Sequence, residues 1–151
     1  MIDAEAMPFL ADIPRVQATL FGAAKARAVL TGVNTRLAPP EIQFILSDAS
    51  AKVLIVGKEF YAVIDQIRDQ LPDLTRIITI DGDREDWDYF PSWRNSKPNT
   101  APDRTPEADD DVIQLYTSGT TGRPKGVQLS NASYEAFFRQ AAMLEWSSYG
   151  A

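Results

Sequence analysis

The residues best suited to chemistry lie together between Thr117 and Gly126, where Thr, Ser, Gly, Thr, Thr, Gly, Arg, Pro, Lys and Gly follow one another. Gly119, Gly122 and Gly126 permit backbone conformations closed to other residues, so successive amide N–H groups can converge on one anion. The hydroxyls of Thr117, Ser118, Thr120 and Thr121 add neutral donors of short reach, and Lys125 adds a compact mobile positive charge. Against a phosphate oxygen at about 4 Å, such a charge is worth about 4 kcal/mol at an effective dielectric near 20, before desolvation is subtracted. These residue types together describe a cradle for a polyphosphate. Two familiar phosphate loops are excluded. The nucleoside-triphosphatase loop needs Gly just before its Lys and Ser or Thr just after, where this chain has Pro124 and Gly126. The G-x-G-x-x-G spacing of a dinucleotide site is also absent. On composition alone, a ligand-free Gly- and Thr-rich hairpin is the competing reading.

The flanking elements must hold that loop. Val112 to Thr117 reads as a strand running into it, and Gly126 to Ser130 as a second short strand leaving it, so the loop is expected to work without a helix dipole. Upstream, Asp12 and Pro14 signal a helix start, with Val16, Leu20, Phe21 and Ala24 at helical spacing up to about Ala26. Ala28 to Val33 suggests a strand. Pro39 and Pro40 open a second helix with Ile42, Ile45, Leu46 and Ala49 on one face. Lys52 to Val56 is a short apolar strand, and Phe60, Val63, Ile64, Ile67 and Leu71 repeat the helical stripe until Pro72 closes it. Arg76 to Ile80 reads as another strand. Helices alternating with strands over residues 12–80 predict an α/β fold with βαβ crossovers, a largely parallel sheet and flanking helices.

Residues 81–111 hold Gly82, Pro91, Pro98, Pro102 and Pro106 among many polar residues and read as a long surface connection. Trp87, Tyr89, Phe90 and Trp93 within it are expected to anchor the connection to the core rather than to form a lid. Glu107, Asp109, Asp110 and Asp111 read as a solvated approach to the strand–loop–strand of residues 112–130. Residues 131–146 predict a last helix, capped by Ser130, whose Tyr134, Phe137, Phe138, Ala141 and Ala142 form an apolar stripe expected to pack in a core.

Composition removes other functions. With 15 Lys+Arg against 21 Asp+Glu, the net charge of −6 argues against a nucleic-acid partner. The absence of Cys and His excludes a disulfide, a thiolate or imidazole metal site, a cysteine nucleophile and a Ser–His triad. Residues 1–11 carry Asp3 and Glu5 without a basic cluster, and no apolar run approaches the roughly 18 residues of a transmembrane segment. The expectation is a cytoplasmic protein, with peripheral attachment at a membrane left open.

Tyr116 to Val127 closely resembles the signature phosphate loop of the adenylate-forming (AMP-binding) superfamily, which includes acyl-CoA synthetases, peptide-synthetase adenylation domains and luciferases. Phe21 to Lys25, the run Asn34, Thr35, Arg36 and Leu37, then Glu41, Asp48 and Lys52 to Val56 are similar to fatty-acyl-CoA synthetases in particular. The resemblance implies ATP, Mg²⁺, coenzyme A and a small-molecule carboxylate as ligands, with the acid first joined to AMP and then passed to the CoA thiol. It implies that Thr117, Ser118, Gly119, Thr120, Thr121, Gly122 and Lys125 hold the β- and γ-phosphates of ATP. Stabilising charge on pyrophosphate as it leaves would be the loop's contribution to catalysis.

The same resemblance covers only part of the large N-terminal domain of adenylate-forming enzymes, so residues 1–151 are expected to be a partial AMP-binding domain, inactive alone. The acid-binding pocket, the ribose-binding Asp and the catalytic Lys would lie beyond Ala151. Two departures stand out: Arg27 replaces the family's usual Gly, and Asn131 replaces a common His. Two other functions fit the sequence: a non-catalytic remnant binding nucleotide or a protein partner, and a ligase for an aromatic or short-chain carboxylate.

Overall fold

A computed structural model describes residues 13–82, 84–117 and 123–143. The chain divides into two compact units, Val33–Thr100 and the flanking segments Met1–Gly32 with Ala101–Ala151.

The central unit follows the sequence pattern closely. Helix α2 (Pro39–Asp48) begins at two prolines, where the missing N–H costs nothing, and the Glu41 carboxylate accepts the Ala38 N–H at 2.8 Å. Strand β2 (Val53–Val56) leads through a 3₁₀ turn into α3 (Tyr61–Ile67), and a second 3₁₀ turn precedes β3 (Arg76–Thr79). The expected helix to Leu71 is therefore shorter, its ends tightened into 3₁₀ turns. β2 and β3 pair in parallel, Leu54 opposite Ile77 and Ile55 opposite Ile78, which is the predicted βαβ unit. Ile42, Leu46, Val56, Ile64, Ile67, Leu71, Ile77 and Trp87 form one buried cluster between helices and sheet.

Residues 81–111 differ from the expected surface connection. They contain β4 (Asp88–Tyr89), which pairs in parallel with β3, and α4 (Phe90–Asn95), started by Pro91. Elements of two and six residues are too short to display a period, so the sequence pattern concealed them. The aromatic residues do anchor this stretch. Trp87 and Phe90 are buried, and the Trp87 ring meets Tyr61 edge to face at 5.0 Å and 80°. Arg84 lies 3.9 Å over the Trp87 ring while its guanidinium binds Asp65 and Asp86.

The other unit holds α1 (Ile13–Lys25), β1 (Leu30–Gly32), β5 (Asp111–Thr117), β6 (Lys125–Ser130) and α5 (Asn131–Met143). Its strands form a second three-stranded sheet in the order β1-β5-β6, so the strands lie in two sheets. β1 and β5 are parallel, and β5 and β6 are antiparallel. Ser130 caps α5 as expected, accepting the Ser133 N–H at 3.3 Å. The apolar stripe of α5 departs from the expected core role at Phe137, which is 56% exposed. Tyr134 is half-buried, and the side chains of Phe138, Ala141 and Ala142 lie outside the description.

Candidate functional site

Strand alternation positions the described part of the loop. Thr117 ends β5, Lys125 opens β6, and the two are direct cross-strand partners. Below them Leu115 faces Val127 and Ile113 faces Leu129 on the same side of the ladder, since successive residues of a strand point to opposite faces. The Thr117 hydroxyl and the Lys125 ammonium therefore stand on one face, both exposed, where the chain leaves and re-enters the sheet. Ser118, Gly119, Thr120, Thr121 and Gly122 lie outside the described residues. A hydroxyl donor beside a flexible cation is a donor set that fits phosphate oxygens. Among the described residues no group of acidic side chains gathers to hold a metal ion. None of their helices is long and apolar enough to cross a membrane.

The foot of the same hairpin is fastened by groups the sequence pattern did not connect. α1 ends in a 6→1 hydrogen bond from Ala28 N–H to Ala23 C=O, and Arg27 occupies the left-handed position at φ 56°. Such a position favours Gly. Here the Arg27 guanidinium reaches Glu107 at 2.7 Å and Asp110 at 2.6 Å. The acidic approach is thus not simply solvated, because two of its carboxylates clamp this helix end. The Asp110 carboxyl titrates below the usual carboxylate range, first because it accepts the Glu107 N–H at 2.8 Å and then because Arg27 binds it. Arg27 is held above its ordinary value, mainly by its bond to Asp110 and then by Glu107. Asn131 joins the same corner, donating its side-chain N–H to Glu107 C=O at 2.9 Å and its backbone N–H to Asp110 C=O.

Sequence reasoning named Arg27 as an oddity without naming its partners, because they lie 80 and 83 residues away. It also left Gln114 unmentioned. Its amide donates to the Tyr116 hydroxyl at 3.1 Å, on the ladder face opposite Thr117 and Lys125. The i, i+2 spacing in a strand that enters a Gly-containing hairpin was the available signal.

Residues 8–149 match the AMP-binding enzyme family. The chain belongs to that family. Its relatives include the long-chain-fatty-acid–CoA ligase FadD13 of Mycobacterium tuberculosis (strain ATCC 25618 / H37Rv), 40% identical over 131 residues that span 85% of this chain and 24% of the ligase. The fatty acid–[acyl-carrier-protein] ligase ScoC of Streptomyces coeruleorubidus is 40% identical over 120 residues, 78% of this chain and 21% of ScoC. Among solved structures, the anthranilate CoA ligase AuaEII in complex with anthranoyl-AMP superposes with a TM-score of 0.74 at 37% identity, covering 80% of this chain and 24% of that one. The chain thus spans less than a quarter of the length of these relatives. In this adenylate-forming family the relatives are acid ligases, and they act on aromatic as well as fatty acids by their names.

Proposed function

We propose that this chain supplies the phosphate loop of an AMP-forming acid–CoA ligase whose carboxylate is a fatty acid. The observation that carries the reading is the pairing of Thr117 with Lys125, which sets a hydroxyl and an ammonium on one exposed face within a segment of matching family sequence. In this reading Thr117, Ser118, Gly119, Thr120, Thr121, Gly122 and Lys125 hold the β- and γ-phosphates of ATP. Lys125 and the hydroxyls orient those phosphates and offset negative charge as pyrophosphate departs. Mg²⁺, when bound, would neutralise part of the same charge, and coenzyme A would accept the acyl group on its thiol. The similarity to FadD13 favours the fatty acid and CoA. A second reading, an aromatic carboxylate, has support from the likeness to the anthranilate ligase.

Titration of the chain with magnesium–ATP tests the loop. Wild type is expected to bind and Lys125→Ala to bind at least about ten-fold more weakly, the size of one lost charge-assisted contact. Equal binding by both would remove Lys125 from the role. The acid is tested on protein carrying this segment isolated from its source cells, by ATP–pyrophosphate exchange. Exchange dependent on palmitate supports the fatty-acid reading, and exchange dependent on anthranilate or benzoate instead supports the aromatic one.

A further inference from the structure

Gly126 sits opposite Tyr116 in the β5–β6 ladder, and the space where its side chain would stand is already filled. A Cβ there would collide with the Gln114 amide nitrogen and would lie 3.1 Å from Cζ of Tyr116 and 3.2 Å from Cδ of Gln114. Gln114 and Tyr116 are two residues apart on β5, so they leave the same face. Their side chains are joined by the hydrogen bond from Gln114 Nε2 to the Tyr116 hydroxyl at 3.1 Å. The amide and the ring therefore lie across the ladder as a strap, pressed onto the bare backbone of Gly126. An aromatic side chain over a cross-strand glycine restores the packing that the glycine itself cannot supply.

Lys125 is the residue immediately before this clamp, and its side chain leaves from the opposite face. A lysine ammonium hangs on a flexible four-carbon stem, so its reach is set by where its Cα and Cα–Cβ bond are held. Lys125 is the first residue of β6, where a strand end would otherwise fray. We infer that Gln114 and Tyr116 are positioning residues for Lys125: by strapping Gly126 against β5 they hold the start of β6 in register, with Lys125 beside Thr117. The inference rests on the phosphate-binding role of Lys125 proposed above.

The test uses the full 151-residue chain, inorganic tripolyphosphate as the probe, and cross-strand nuclear Overhauser contacts as an independent readout. Tyr116→Phe removes only the hydroxyl, Gln114→Leu removes the amide at similar size, and Gly126→Ala displaces the amide from below. Each is expected to weaken tripolyphosphate binding by about two- to ten-fold, the effect of one neutral hydrogen bond. Each is also expected to diminish Overhauser contacts between Thr117 and Lys125 while leaving those between Ile113 and Leu129 intact. In a Lys125→Gln background the same changes are expected to weaken binding no further, because the strap acts through Lys125. Wild-type affinity and intact Thr117–Lys125 contacts in both Tyr116→Phe and Gln114→Leu would overturn the inference. So would an equal weakening in the Lys125→Gln background, which would mark a general loss of fold. If the unaltered chain binds no tripolyphosphate, the phosphate reading fails. The strap is then judged on the Overhauser contacts alone, and their persistence in Tyr116→Phe overturns it.

Discussion

Between Val33 and Thr100 a βαβ unit encloses Ile42, Ile45, Leu46, Ile64, Ile67 and Ile78, whereas in the flanking unit Val112 is the buried apolar residue among those described. The sheet of the flanking unit leaves Leu115 45% and Val127 46% exposed, directly below the Thr117–Lys125 pair. The contrast separates two tasks. Apolar side chains sandwiched between helices and a parallel sheet supply burial in one unit, and Thr117 and Lys125 stand exposed on the β5–β6 ladder of the other. Both units end a helix in the same way, with a non-glycine residue in the left-handed region, yet the compensation differs. Ser50, at φ 46° after α2, is followed by the 6→1 bond from Ala51 N–H to Leu46 C=O, beside the packed core. Arg27 has the matching 6→1 bond and adds to it two carboxylates brought from far along the chain.

The strongest way to break this contrast is to remove core volume. Ile78→Ala, at a fully buried site, is expected to cost about 2–5 kcal/mol in urea unfolding of the central unit. Leu115→Ala, on the exposed ladder, is expected to cost less than about 1 kcal/mol. Similar losses for the two would erase the distinction between the units. Next in size is the pair of helix ends. Ser50→Gly is expected to stabilise α2 by about 1 kcal/mol by relieving the left-handed backbone, as read from the denaturation midpoint. At position 27, Gly relieves the same strain but loses the clamp, so the expected order of thermal stability is Arg27→Gly above Arg27→Ala. If Arg27→Ala melts at or above Arg27→Gly, the left-handed strain does not matter there.

The smallest expected effect is on pH. Asp110 has a lowered pKa when folded, so at neutral pH the unfolded chain holds its proton more tightly than the native one, and the native state is favoured. That contribution is complete above the ordinary carboxylate range and is lost as the pH falls below about 4 through the folded value. Asp86, lowered chiefly by Arg68, gives the central unit an acid sensitivity of the same sign. Asp110→Asn is expected to flatten the acid limb for amides at the foot of the β5–β6 hairpin, followed by hydrogen exchange, while amides of the central unit keep theirs. An unchanged acid limb at the hairpin foot would remove the clamp from the account.

Most of the central unit was readable because its signals are local. Pro39 and Pro40 start α2, the apolar run Val53 to Val56 makes β2, and the stripe through Ile64 and Ile67 makes α3. β4 and α4 escaped because they are shorter than the periods that reveal strands and helices. For the site, residue types alone pointed to a phosphate and to the two strands around it. They could not say that Arg27 meets Glu107 and Asp110, or that Gln114 and Tyr116 close over Gly126.

By itself the sequence determined the Gly-, Ser-, Thr- and Lys-bearing run from Thr117 to Lys125, the main helices and strands, and the family signature, because composition, periodicity and turn chemistry act within a few residues of the chain. Only the tertiary structure decided that Thr117 stands opposite Lys125, that Phe137 is more than half exposed, and that distant carboxylates secure a strained helix end. Register and ion pairing of this kind depend on which far-apart segments meet, and no local pattern encodes that choice.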